Sequence, residues 1–488
     1  MGKKEKNMMR RMTMTAFAAI TAAVAAAEVG VSVDFGKVVA PFRPALHSAG
    51  FSPWYRHSPA TVHRIWELGV EYVRTHDLAL VNPGARIFDN HFIFPLLHLD
   101  ATKPENYYFA ATDWMVKKQL DAGLKIFWRL GTSIEHTGTT HFNAEIPTDF
   151  DKMAECFAGT VRHYVRGWAG GMTNAVEYWE IWNEPDGKNN MWSFTGVDDN
   201  DPKANRNDER RDLFVKFFVA VLKRLRSEFG DTIKIGGPAL CDMDESWFRP
   251  ILHACKAAGI KPDFLSGHEY GVNPHRVIEQ VEAAHRMCVE EGFPEMAFIN
   301  NEYHYWPKRG WMYHGAKDSP AEFNDIDSAA YTLTILSLLQ TSRYSQAYFY
   351  GIGNRRYGYL DADTWLYNKN YYALKWFGEL RRDCRDICAS TSTDRHVTPF
   401  AMKSADGRTA KLLVTDYCGT DTDIAVEVAG LNNVTNVNAE ILSYTRNPGD
   451  IPVNLRDPEP FAIEFKDNKV KLEKPDRFSA AWMLTFEL

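Results

Sequence analysis

Tyr178-Trp-Glu-Ile-Trp-Asn-Glu-Pro185 reads as an apolar strand that stops abruptly. Pro185 has no N–H to give to a sheet ladder, so pairing ends there. Asn183 and Glu184 therefore sit where a buried strand gives out. A carboxylate in that position is half desolvated, which raises its proton affinity and suits a proton donor. Further along, the strand-like run Met296 to Asn300 leads into a second carboxylate, Glu302. Two carboxylates on separate strand ends are the minimum that hydrolysis of a glycosidic bond requires.

Outward from this stretch, short apolar runs alternate with amphipathic ones. Strands are expected at Glu71–Thr75, Leu124–Leu130, Val176–Trp182, Ile233–Gly236, Phe264–Gly267, Met296–Asn300 and Ala347–Tyr350. Helices are expected at Pro59–Leu68, Asp113–Ala122, Asp151–Val165, Leu213–Phe229, Trp247–Ala258, Val277–Glu290, Asp327–Gln340 and Tyr371–Leu380. Gly123, Gly230, Gly259 and Gly292 follow four of them, as C-terminal caps do. A first strand within Val29–Leu46 completes eight units, which points to a (β/α)8 barrel with long loops. An open doubly wound sheet fits less well, because its Gly-rich first turn is missing.

After residue 385 the runs become short and β-rich: Lys411–Thr415, Ile424–Val428, Ala439–Leu442 and Ala480–Phe486. They predict a C-terminal antiparallel β-sandwich. The expected organisation is a leader at 1–27, a barrel over 28–384 and a sandwich over 385–488. Val29–Val39 fits either the barrel or the sandwich. No linker separates the two parts, so they are expected to pack together.

The leader has the form of an export signal. Lys3, Lys4, Lys6, Arg10 and Arg11 precede the small apolar run Thr13–Ala25, and Ala25-Ala26-Ala27 offers a cleavage site. That run is too short to span a bilayer, so a secreted or periplasmic protein without a membrane span is expected. Net charge is −7 and no dense basic block follows the leader, which argues against nucleic acid as a partner. The 14 Trp and 21 Tyr supply flat apolar faces with polar edges, suited to stacking on sugars as well as to filling a barrel. Cys156, Cys241, Cys255, Cys288, Cys384, Cys388 and Cys418 are odd in number and scattered, so most are expected to be free and buried. No HExxH, P-loop or GxGxxG arrangement stands out, and neither a metal nor a cofactor is expected.

Polar residues fall at several C-terminal strand ends, where a parallel barrel keeps its reactive groups. These are Arg74, His76, Asn183, Glu184, His268, Tyr270 and Glu302, with Trp306 and Trp365 in following loops. Each has a plainer reading. Arg74 also fits an interior ion pair with Glu180, and His268 a satisfied core histidine. Glu295 and Glu322 compete with Glu302 as the second carboxylate.

Glu180-Ile-Trp-Asn-Glu-Pro-Asp186 resembles the acid/base motif of the clan of retaining glycoside hydrolases built on (β/α)8 barrels, clan A. Within it the likeness is closest to glycoside hydrolase family 39, home of β-xylosidases and α-L-iduronidases. Tyr72-Val-Arg-Thr-His76, Asp263-Phe-Leu-Ser-Gly-His-Glu-Tyr270 and Tyr371-Tyr-Ala-Leu-Lys375 resemble that family's second-strand, sixth-strand and closing-helix motifs. Asp186 and Asn300-Asn301-Glu302 resemble the iduronidase branch. The family often has Thr-Glu-Trp at its nucleophile, where this chain has Asn301-Glu302-Tyr303.

The resemblance implies a retaining, exo-acting, β-xylosidase-like enzyme on oligosaccharide or polysaccharide. Glu184 would be the acid/base and Glu302 the nucleophile. Asn183 would bond the sugar 2-OH. His76, Arg74, His268 and Tyr270 would line the subsite, and Trp306 and Trp365 would stack on the ring. Endo-action on glucan or mannan, and an inactive sugar-binding barrel, are the alternatives. Glu135, His136, Asn354, Arg355 and Arg356 lie in loops that would set specificity. The two arginines could meet a uronate carboxylate, but a solvated loop pair is the commoner fate of such residues.

Overall fold

The structure, a computed structural model, describes residues 28–50, 65–76, 86–133, 143–187, 191–194, 207–307, 323–351, 357–358, 367–444, 458–475 and 477–488. The expected leader, and residues 135, 136, 322, 354–356 and 365, lie outside these.

Eight parallel strands close into a barrel. They are β2 (Ser48–Gly50), β3 (Tyr72–Arg74), β4 (Lys125–Leu130), β5 (Tyr178–Ile181), β6 (Lys234–Leu240), β7 (Phe264–Gly271), β8 (Ala297–Tyr305) and β9 (Tyr344–Phe349). β2 pairs with β9 and closes the ring. Helices Ala110–Asp121, Phe150–Arg166, Asn207–Phe229, Glu245–Ala257, Arg276–Glu291, Ile326–Leu339 and Lys369–Asp383 alternate with the strands. Their ends carry local stop and start chemistry. Asp149 accepts the Lys152 N–H at the start of the second of these helices, and Gly167 ends it at φ +70°.

The second sheet runs β15-β14-β17-β12-β11-β10-β1-β13-β16. Its strands are β1 (Val29–Pro41), β10 (Asp386–Ser392), β11 (Val397–Lys403), β12 (Thr409–Asp416), β13 (Ile424–Ala429), β14 (Asn436–Leu442), β15 (Glu459–Pro460), β16 (Lys469–Leu472) and β17 (Ala480–Glu487). It curls so that its two halves enclose one core, with Val31, Val33, Leu412, Val426, Trp482 and Phe486 inside. Phe35 of β1 meets Phe486 of β17 edge to face at 5.7 Å. One pairing within it, β1 with β13, is parallel.

β1 joins this sheet, and the first barrel strand is the short Ser48–Gly50. The reason is legible in the pattern. Val29, Val31, Val33 and Phe35 are buried and alternate with more open neighbours, as in a strand with one buried face. Ser48–Gly50 is buried throughout, as in a barrel strand wrapped by helices. The outer face of the sheet lies against the barrel, where Phe400 stacks on Phe377 of the last helix at 5.3 Å. The Tyr417 hydroxyl donates to the Val272 carbonyl, which follows β7, at 2.6 Å.

All seven cysteines are free; five are buried, Cys241 is half-buried and Cys418 exposed. Among the described residues no helix is long and apolar enough to cross a membrane.

Candidate active site

The barrel lumen is built in layers. Tyr72, Phe127, Tyr178, Phe264, Ile299 and Tyr348 fill one layer with apolar and aromatic side chains. Two residues further along β3, β5, β7 and β8, the same face carries polar groups instead, because side chains repeat every second residue along a strand. Arg74, Glu180, Ser266 and Asn301 meet there. Glu180 accepts from Arg74 Nε at 2.7 Å, Ser266 Oγ at 2.7 Å and Asn301 Nδ2 at 2.6 Å. The interior ion pair read from sequence is therefore real, and it is also the floor of the site.

Arg74 reaches upward from that floor. Its Nη1 donates to Glu302 Oε1 at 2.6 Å and its Nη2 to Asn183 Oδ1 at 2.7 Å. A guanidinium only donates, so Asn183 turns its oxygen to Arg74 and leaves its NH2 for another partner. The Tyr270 hydroxyl donates to the other oxygen of Glu302 at 2.6 Å.

Glu302 lies within β8, not beyond its end. The expectation of a strand stopping at Asn300 is corrected by a β-bulge. Gly267 pairs with Asn300 and His268 with Glu302, so Asn301 is the extra residue. The bulge lets Asn301 face the floor while its neighbour Glu302 also faces the site, which strict alternation forbids. Glu295, the competitor, is exposed ahead of the start of β8.

Glu184 follows β5 in strained backbone. Trp182 has φ +75° and Glu184 φ +43°, a region that residues of this size rarely adopt. The Glu184 N–H is tied to Ala239 O at 2.8 Å. Gly131 makes room for the displaced Trp182, since a Cβ there would lie 2.5 Å from the indole.

His268 stands between the carboxylates. Its Nδ1 is 3.0 Å from Glu184 Oε1 and 3.5 Å from Glu302 Oε2. Burial lowers the imidazole to about 4, so the ring is neutral at ordinary pH. With carboxylate oxygens facing Nδ1, the proton belongs on that nitrogen, and the buried Nε2 has no hydrogen-bond partner among the described residues. His76 lies on the far flank, its Nε2 3.9 Å from Glu302 Oε1. Burial raises the Glu302 carboxyl above the ordinary glutamate range; Arg74 and the Tyr270 hydroxyl oppose that rise and the charge of Glu184 adds to it.

One oxygen of Glu184, one of Glu302 and a ring nitrogen of His268 lie within 4.8 Å of one another. Donor type alone would let these groups hold a cation. Arg74 already supplies the positive charge at Glu302, and we assign no metal here. Trp306 flanks the opening, half-buried, with its ring 5.9 Å from that of Tyr270. The structure thus brings Arg74, His76, Asn183, Glu184, His268, Tyr270, Glu302 and Trp306 to one rim.

Sequence reasoning misses three groups near that rim. Asn301 is hidden by the bulge. Arg129 of β4, paired with Asp89 at 2.5 Å, is buried beside the site. Cys241 follows β6, which runs four residues past the break that Gly236-Gly237-Pro238 signals in sequence.

A family model described as glycosyl hydrolases family 39 matches residues 41–307, more than half of the chain. The chain belongs to that family. A curated relative, a β-xylosidase of Geobacillus stearothermophilus, is 22% identical over 264 residues, which is 49% of this chain and 47% of that protein. A β-xylosidase of Caldicellulosiruptor saccharolyticus is 25% identical over 215 residues, 42% of this chain and 37% of that protein. The chain spans about half the length, or less, of these curated relatives. Among solved structures, a glucosidase from Croceicoccus marinus superposes with TM-score 0.68 at 19% identity, covering 94% of this chain and 99% of that one. A monomeric β-xylosidase from Caulobacter crescentus gives 0.67 at 15%, with 94% and 99% covered. At these identities the superpositions speak to the fold, a barrel with an attached sandwich.

Proposed function

We propose that this family 39 protein is a retaining glycoside hydrolase, exo-acting on β-xylosides or close relatives, with Glu302 as nucleophile and Glu184 as acid/base. The separation of the carboxylates carries the reading. Retaining enzymes set them about 5–5.5 Å apart, whereas inverting ones leave about 6.5–9.5 Å for a water. Oxygens within 4.8 Å support the first class.

The steps follow from the contacts. Glu302, its two oxygens held by Arg74 and Tyr270, attacks the anomeric carbon. Glu184 gives its proton to the leaving oxygen, and a glycosyl ester forms on Glu302. Glu184, now ionised, takes a proton from water, which attacks the same carbon and frees the sugar with its configuration kept. The free NH2 of Asn183 meets the 2-hydroxyl, a bond that strengthens as oxocarbenium charge develops. Neutral His268 donates from Nδ1 to whichever carboxylate carries charge, without adding a positive charge of its own. The β-xylosidase relatives support the choice of sugar, and the basic, Ala-rich leader supports action outside the cytoplasm.

The test begins with nitrophenyl xylosides, arabinosides, galactosides, glucosides and uronides. Azide should rescue Glu302→Ala as the inverted glycosyl azide and Glu184→Ala as the retained one. Release of monosaccharide before any fall in polymer viscosity would support exo-action. Full activity in Glu184→Gln or Glu302→Gln would reject the assignment. N-terminal sequencing of protein recovered from the periplasm or culture fluid tests export.

A further inference from the structure

β6 does not run evenly beside β7. Its register jumps from Gly237 opposite Leu265 to Leu240 opposite Gly267, so Pro238 and Ala239 share one partner residue, Ser266. Two residues against one is a β-bulge, in which the extra residue loses its ladder partner. Pro238 has no N–H, so the bulge has one donor to place, that of Ala239. It goes to the Ser266 hydroxyl at 3.0 Å. Both residues are fully buried, where an unmet N–H is costly.

The other side of the bulge holds the Glu184 loop. β5 pairs with β6 as far as Glu180 opposite Gly236. Beyond that, the Glu184 N–H meets the Ala239 carbonyl at 2.8 Å. Ala239 at φ +58° and Glu184 at φ +43° both sit in the left-handed region, which a side chain disfavours and surrounding bonds must maintain. A backbone N–H can only donate, so the Ser266 oxygen accepts from Ala239 and its own hydrogen goes to Glu180 Oε1 at 2.7 Å. Glu180 also takes Arg74 Nε, and Arg74 holds Glu302. One hydroxyl therefore joins the floor beneath Glu302 to the backbone of Glu184.

We propose that Ser266 is a positioning residue for Glu184: its hydroxyl holds the β6 bulge, and the bulge sets the angle at which the Glu184 carboxyl meets the leaving-group oxygen. This rests on Glu184 being the acid/base. Ser266 lies in the floor and acts through Ala239. Without its hydroxyl the Ala239 N–H is unmet, the left-handed pair relaxes and the Glu184 carboxyl swings off line. Glu180 keeps Arg74 and Asn301, and Glu302 keeps Arg74 and Tyr270. The loss should fall on proton transfer and spare nucleophilic attack.

Leaving groups separate these two steps. A dinitrophenolate departs without a proton, whereas an alkoxide needs one. On the sugar that the screen identifies, Ser266→Ala should lower kcat/KM by roughly 10²-fold for an alkyl glycoside and by less than about threefold for the dinitrophenyl glycoside. Azide attacks without a general base, so it should raise turnover of the dinitrophenyl glycoside by Ser266→Ala and leave that of the native protein unchanged. In a Glu184→Ala background Ser266→Ala should add no further loss on the alkyl glycoside. A merely structural role would lower all substrates alike.

Hydrogen exchange reads the same link without turnover. In Ser266→Ala, peptides covering 182–187 and 237–241 should exchange faster, while peptides from the Ala110–Asp121 helix keep native rates. Ser266→Cys has a weaker donor and acceptor at similar volume. It should show both effects in smaller measure, and it carries the test if Ser266→Ala does not fold. If no glycoside is turned over but the faster exchange is confined to those peptides, the enzyme assignment fails and the seating of the Glu184 loop by Ser266 stands. An equal loss of kcat/KM on every leaving group would overturn the proposal. So would exchange at 182–187 that neither variant alters.

Discussion

Two adjacent layers of one barrel lumen are built on opposite principles. The aromatic layer of Phe127, Tyr178, Phe264 and Tyr348 is a packed plug, whose gain comes from apolar area withdrawn from water. The layer above it buries Arg74, Glu180 and Glu302 with almost no exposure. Desolvating these charges costs several kcal/mol each, offset only while every partner is in place. The first layer tolerates imprecision in chemistry and supplies stability. The second contributes little net stability and supplies fixed dipoles and charges where a reacting sugar would sit.

This contrast can be broken in order of effect. Glu302→Gln should keep the fold, since an amide still meets Tyr270, yet lower kcat/KM by roughly 10⁴-fold or more in a nitrophenyl glycoside assay. Arg74→Met strands Glu180 and Glu302 without their cation, and urea unfolding should show a loss of about 3–5 kcal/mol together with activity. Phe264→Ala in the aromatic layer should cost a similar amount, about 3–5 kcal/mol, while kcat of the folded fraction stays within about threefold. If Phe264→Ala abolished turnover in folded protein, the division between layers would be wrong.

A smaller effect sharpens the upper layer. Glu302 is raised by burial, so the acid limb of kcat/KM should lie above the ordinary glutamate range: as pH falls through it, Glu302 gains a proton and, if it is the proposed nucleophile, activity is lost. Tyr270→Phe removes a donor to the ionised form and should move that limb further up, with a fall in kcat/KM of roughly tenfold. The stability consequence has the reverse sense, because a raised carboxyl favours the folded state as pH drops.

Much of this was open to reading in the chain because it depends on local rules. Pro185 stops β5, so Asn183 and Glu184 announce themselves. The alternation of Val29, Val31, Val33 and Phe35 marks β1 as a one-face strand, although only its pairing with β10 and β13 decides which sheet it joins. What escapes is non-local. The bulge at Asn301 has no composition signal, since its cause is the register against Gly267 and His268. Cys241 is hidden by Gly236-Gly237-Pro238, which reads as a turn yet remains in β6; Gly237, at φ +138°, lets the strand pass β5 where a Cβ would lie 2.9 Å from Ile181 O. Asp186 is visible in the motif, but its bond to the Cys241 N–H depends on two loops meeting.

The claim that Glu184 and Glu302 grip one anomeric carbon is tested most directly by trapping. A 2-deoxy-2-fluoro glycoside of the sugar that the screen identifies, with an activated leaving group, should add one glycosyl unit to the intact mass, and peptide mapping should find it on Glu302. An adduct on another residue, or turnover to an inverted product with no adduct at all, would contradict the account.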